Sequence, residues 1–210
     1  MGYTKRTYSK TLRDRMRPGD IIAFGGKSQF SEAIKWFTRS VVSHVAIVLQ
    51  TRRVDTKKPG YFNQIIESTA RDGKYGVMIS RLSCTLSQYE GEIWWLPLAD
   101  HVRNKLDQDR YFDWLMNMEG RPYDVTQAVL SAVDVFGGLT ENREDYEKLF
   151  CSELAAGALK AGGVIPVSVN PAEVTPQDLV SWKIYADNYV QLKGERCLIK
   201  HYNSRPVDSV

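Results

Sequence analysis

Strand-like runs crowd the first half of this chain and helical spacings fill the second, and that segregation limits the fold more than any single motif. Ile21-Ile22-Ala23-Phe24, ended by Gly25-Gly26, reads as a buried strand, and His44-Val45-Ala46-Ile47-Val48-Leu49 as the next. Phe30, Ala33, Ile34 and Phe37 recur at helical spacing behind Ser28 and set one short amphipathic helix between them. Residues 62–67, 77–82 and 92–98 supply further strands. Strands that follow one another pair as antiparallel neighbours, so the expected class is α+β and a βαβ repeat is excluded.

Beyond residue 100 the spacing changes. Val102, Leu106, Phe112, Leu115 and Met118 describe one helix stopped at Gly120, and Val125, Val129, Val133 and Phe136 a second, capped by Asp124 and stopped at Gly137-Gly138. A third starts at or near Cys151, turns Leu154, Ala158 and Leu159 inward and ends at Gly162-Gly163. Its alanines imply close packing against a neighbour. Thr175-Pro176-Gln177-Asp178 is a helix start, with Thr175 as cap and Pro176 at the first helical position. Residues 185–192 and 196–201 are expected as final strands.

The 210 residues suit one core rather than two, and a single domain is expected over residues 17–210. Residues 1–16 form a basic arm: Lys5, Arg6, Lys10, Arg13 and Arg15, with Arg17 just beyond, face the single acid Asp14. A solvated, partly disordered arm is the first reading, and contact with phosphate or an anionic membrane the second. With 28 Lys and Arg against 25 acids, the net charge of +3 is too small to imply a nucleic-acid partner. No apolar run approaches the ~18 residues that span a bilayer, and the first residues lack the apolar middle of a secretory signal, so a cytoplasmic location is expected.

The three cysteines, Cys84, Cys151 and Cys197, are far apart, which argues against a disulfide framework and a structural zinc site, so neither metal nor cofactor is expected. Cys84 and Cys197, in or beside expected strands, read as small apolar residues. Cys151 differs. A thiol at a helix N-terminus meets unpaired N–H groups and the positive end of the helix dipole, both of which favour thiolate. On that reading Cys151 alkylates before the other two. A nucleophile also needs a base, and His44 is the candidate. If the hairpin folds about the middle of its polar connection near Asp55, His44 falls roughly opposite Glu67 on one face of the sheet. A carboxylate there fixes the tautomer of the imidazole and stabilises its charged form. Glu67 therefore reads either as the third member of a triad or as an ordinary carboxylate on the rim. His101 and His201 read as solvated or capping residues.

The same residues carry a resemblance. Pro18-Gly19-Asp20-Ile21-Ile22 followed by Ser43-His44-Val45-Ala46-Ile47-Val48 resembles the histidine half of the NlpC-type cysteine peptidases and amidases. Gly120-Arg121-Pro122-Tyr123, Phe150-Cys151-Ser152-Glu153-Leu154 and Gly162-Gly163-Val164-Ile165-Pro166 resemble the cysteine half. The halves stand in reversed order, which is the arrangement of the circularly permuted papain-fold branch that includes the YiiX-like proteins, and Thr175 to Asp178 match a turn of that branch. The resemblance spans residues 17–192. It implies a permuted papain-like (NlpC-like) fold, an antiparallel sheet packed against a nucleophile-bearing helix. It also implies Cys151 as nucleophile, His44 as base and Glu67 as the residue that orients it.

Tyr123 matches a tyrosine that borders the site in the proteins the chain resembles, and with Ser43 and Ser152 of the same motifs and Trp36 on the helix before His44 it makes the candidate substrate-binding set; core packing is the other reading of Trp36. Trp94, Trp95, Trp114 and Trp182 read as core or groove residues. The oxyanion formed by attack on a carbonyl would be held by the Cys151 N–H and a second donor. The implied activity is cysteine-dependent cleavage of an amide, peptide or isopeptide, in a peptide-like or small amide substrate such as cell-wall peptide. Two alternatives stay open, a thioesterase or acyltransferase acting on acyl lipid and a non-catalytic binding module on the same fold.

Overall fold

The computed structural model of the chain describes residues 2–6, 8–26, 40–54, 60–71, 74–122 and 143–207. The helix expected around Trp36, Tyr123 and the helix expected at 125–136 lie outside the described residues. Within them, β1 (Gly2–Lys5), β2 (Ile21–Gly26), β3 (His44–Val54), β4 (Gly60–Arg71), β5 (Lys74–Arg81), β6 (Gly91–Leu96) and β7 (Asn188–Lys193) form one sheet. Its order is β1-β7-β6-β2-β3-β4-β5. Only β1 and β7 run parallel; the other neighbours are antiparallel. Six helices accompany the sheet among the described residues: α1 (Lys10–Arg13), α2 (Leu82–Gln88), α3 (Asp100–Arg103), α4 (Gln108–Met118), α5 (Arg143–Ala161) and α6 (Pro176–Ser181). The class is α+β. No helix among the described residues is long and apolar enough to cross a membrane.

Both faces of the sheet are covered, which is why β2 reads as an unbroken apolar run. Ile21, Ala23, Val45 and Ile47 point into the larger core with Leu154, Ala155 and Ala158 of α5. Ile22, Phe24, Ala46 and Val48 point the other way, into a smaller core with Leu12 and Leu82. The small residues of α5 allow the close approach expected of them: a Cβ on Gly157 would lie 2.5 Å from the Trp114 ring of α4. Trp94 and Trp182 are fully buried in the larger core.

The turn before β2 is fixed by a fully buried carboxylate. Asp20 accepts from Arg17 N (2.9 Å), Trp95 Nε1 (2.9 Å), Leu98 N (3.0 Å) and the Arg103 guanidinium (2.5 Å). One side chain thereby ties together the turn, β6, the segment after it and α3. Gly19 beside it holds φ +86, and a Cβ there would meet Leu98 at 2.8 Å, so the position excludes other residues on both counts. Its N–H and the Val48 carbonyl both meet the Tyr111 hydroxyl of α4, which donates to Val48 O at 2.7 Å.

Several elements depart from the sequence reading. In the amino-terminal stretch Leu12 and Met16 are buried and β1 is added to the edge of β7. Asn63 of β4 also donates to the Arg13 carbonyl at 2.9 Å. The arm's charge masked two apolar anchors spaced one helical turn apart. The helix expected from 102 to 118 is two, because Asp107 caps a new one by accepting from Arg110 N at 3.0 Å. Residues 196–201 form no strand, since their N–H groups go to side chains: Cys197 N donates to Gln191 Oε1 and Ile199 N to the Tyr189 hydroxyl. α2, between β5 and β6, had no periodic signal and places Cys84 on the surface, not in a strand. The start of α6 is as expected, with reciprocal bonds between Thr175 and Asp178.

Asp20→Ala is expected to destabilise the protein by about 3 kcal/mol or more, because it strands the partly buried Arg103 charge and orphans buried donors on Trp95 and Leu98. Urea unfolding followed by tryptophan fluorescence measures it, and a loss under about 1 kcal/mol, the size of an exposed pair, would remove Asp20 from this role.

Candidate active site

β3 begins at His44 because the residues ahead of it are pinned to the end of β2. Ser43 N donates to Phe24 O at 2.9 Å, Gly26 N donates to Ser43 Oγ at 3.2 Å, and Ser43 Oγ reaches back to Phe24 O at 3.4 Å. Ser43 is fully buried and its hydroxyl serves this clasp. His44 then pairs with Phe24 across the ladder, and the two rings lie 5.2 Å apart.

β4 brings Glu67 to the imidazole. The ladder sets Ile47 against Ile66, a register displaced by two residues from the one expected. Extended to the start of β3, it puts Thr69 opposite His44 and leaves Glu67 on the diagonal. An even displacement keeps every side chain on its own face. His44 Nε2 donates to Glu67 Oε2 at 2.8 Å, and Ser80 Oγ of β5 donates to Glu67 Oε1 at 3.4 Å. Glu67 is 3 % exposed, so it is an interior carboxylate and not a rim one.

Cys151 is brought against the same imidazole by α5, which packs on β3 and β4. Burial, the largest influence on His44, pulls its pKa down. The Cys151 sulfur, through charge and hydrogen bonding, and then Glu67 outweigh it and raise the imidazole from 6.5 to about 10. Both partners therefore favour the charged form of the ring.

The helix start is corrected. Cys151 sits well inside α5, which begins about two turns earlier at Arg143. The stretch from Arg143 to Phe150 holds neither Gly nor Pro and carries acids at its head, all of which favour helix. In a helix interior the N–H of a residue belongs to the carbonyl four residues back, so the Cys151 amide is not a spare oxyanion donor and the dipole argument does not apply. Cys151 is also 1 % exposed, whereas Cys84 is the exposed thiol and Cys197 is intermediate. Accessibility thus favours Cys84 over Cys151 for alkylation, the reverse of the order expected from sequence.

Ser152 turns away from His44 and donates to Val174 O at 2.5 Å, tying α5 to the segment before α6. Trp36 and Tyr123 lie outside the described residues. Tyr89 was missed. Its ring lies 4.9 Å from Phe24, and its phenol is pushed well up by burial, against a hydrogen bond with Ser43, with the charges of Glu67, Glu92 and Cys151 adding to the rise. Nothing in the sequence marks it, since it follows a helix that had no periodic signal. His101 and His201 are both exposed and apart from the site. Among the described residues no group of three or more His, Cys, Asp or Glu is placed to hold a metal ion.

No family model matches the chain, and no curated protein matches it. Among solved structures it is similar to YiiX of Escherichia coli O157:H7, titled a metalloprotein, with 20 % identity and a TM-score of 0.44 over 72 % of this chain and 68 % of that one.

The His44 resonances in a histidine-labelled sample should titrate near pH 10, and Cys151→Ala should lower the midpoint more than Glu67→Gln, following the order of the two raising influences. A wild-type midpoint near 6.5 would contradict the geometry. The sign for stability follows from the same shift. His44 holds its proton more tightly folded than unfolded, so its contribution is whole below about 6.5 and is lost as pH rises through about 10.

Proposed function

We propose that this chain is a cysteine hydrolase of permuted papain-like architecture that cleaves an amide bond through Cys151, His44 and Glu67. One observation carries the reading: a buried imidazole held at 2.8 Å by a buried carboxylate, its charged form favoured by the sulfur of the neighbouring helix. An imidazolium beside a sulfur favours the nucleophilic thiolate and is itself an acid ready to protonate a leaving group.

Cys151 Sγ attacks the carbonyl carbon and forms a C–S bond. His44 gives its proton to the departing nitrogen as the C–N bond breaks, which releases an amine and leaves a thioester on the enzyme. A water then attacks the thioester, passes a proton to His44 and frees the acid, restoring both side chains. Glu67 holds the ring through Nε2 and stabilises its charge in each half. Since the Cys151 amide belongs to its helix, the oxyanion takes its donors from elsewhere. An amide is favoured over a thioester because an amine leaves only when protonated, and a charged His44 supplies that proton where a thiol leaving group needs little help.

Short peptides with free amino-terminal or γ-linked acidic residues, acyl thioesters and phospholipids should be offered in parallel to the purified protein and to Cys151→Ala. Amide turnover is expected from the parent protein alone. His44→Ala should cost more than Glu67→Gln, which leaves the base in place, and about 10²-fold or more in kcat/KM is the scale for a general acid–base. Cysteine-dependent turnover of lipids alone would replace the amidase reading with an acyltransferase one, and no turnover of any substrate would leave a binding module.

A further inference from the structure

We propose that a cavity remote from Cys151 binds a small phosphate-bearing molecule. The cavity has a volume of about 700 Å³ and is lined by residues of the amino-terminal stretch, β6, α3 and β7. Its volume falls within the range of sites for nucleotide-sized ligands. It lies toward the Asp20 end of β2, where Trp95 pairs with Ile22, whereas His44 pairs with Phe24 near the other end.

Four arginines from three stretches of chain line it: Arg6, Arg15 and Arg17, and Arg103. Arg103 is committed to the fold, donating to Asp20 and to the carbonyls of Pro18 and Leu98. Arg17 donates only to backbone oxygens, those of Asp14 and Met16. Arg6 and Arg15 are exposed and make no ion pair among the described residues; the Arg15 guanidinium sits 6.0 Å from the Trp95 ring. Three guanidinium groups that pair with no acid among the described residues line one space, and planar forked donors of this kind match phosphate oxygens. The opposing charges are Asp100 and Asp187, which also line the cavity. They supply acceptors for hydroxyl or amino groups on the organic part of a ligand, and so favour a phosphate ester over bare phosphate. A concave site on one side of the sheet edge suits a soluble molecule better than the flat surface of a membrane.

The test is isothermal titration calorimetry of the whole chain at low salt with ribose 5-phosphate and AMP, with ribose and inorganic phosphate alongside. The expected result is saturable one-site binding of at least one ester, tighter than either ribose or inorganic phosphate. Arg6→Ala/Arg15→Ala should weaken it tenfold or more without changing the thermal midpoint. Lys183→Ala/Lys200→Ala, which removes the same charge from exposed positions elsewhere, should leave it within twofold. Absence of saturable binding, equal loss in both double variants, or preference for phosphatidylglycerol vesicles over the esters would each overturn the proposal. Because the variants leave Cys151 and His44 untouched, failure here is separable from failure of the hydrolase reading.

Discussion

The pairing of β3 with β4 is the constraint on which the site rests. His44 and Glu67 come from strands joined by a polar connection, and only the register decides whether they meet. The side-chain period of a strand is two residues, so a shift of one would send Glu67 to the opposite face, while the shift of two actually present carries it only along the same face. The distance lost by moving from the opposite position to the diagonal is within the reach of a glutamate, and the pair closes to 2.8 Å. Parity, more than exact register, is what the chemistry requires.

Around that pair the sheet is held from both sides. α5 presses small residues against one face, and α1 and α2 close the other, so the strands that position His44 cannot slide without opening a core. Asp20 performs a related task at the far end of β2. By accepting four hydrogen bonds it fixes where β2 starts, and so where Phe24, the partner of His44, falls along the ladder. The buried turn and the buried imidazole are thus joined by a single strand of six residues.

What was legible in the sequence follows from which signals are local. Alternation of buried faces, the Thr175–Asp178 cap and the His44 and Glu67 strands depend on residues close in sequence, and they were found. α5 starts at Arg143 and not near Cys151, because the motif around Cys151 carries no helix-stop ahead of it and the residues from Arg143 onward are themselves good helix formers. The arm was read from its charge, and the burial of Leu12 and Met16 depends on a face of the sheet that no local pattern announces. Tyr89 was out of reach for the same reason: it meets the site through Phe24, a contact made only in three dimensions.

The position of Cys151 inside α5 changes which groups act on its sulfur. At a helix end, free N–H groups and the dipole share the work of stabilising a thiolate; in the interior those groups are bonded and their contribution is gone. Burial adds to the difficulty, since removing water disfavours any lone charge. The remaining source is His44, whose own charge would be lost to burial were it not for the sulfur and Glu67 together. The three groups are therefore mutually dependent in a way that a helix-end thiol would not be. Removing Glu67 takes away one of the two groups that favour the charged imidazole, so the carboxylate acts on the surroundings of Cys151 through His44.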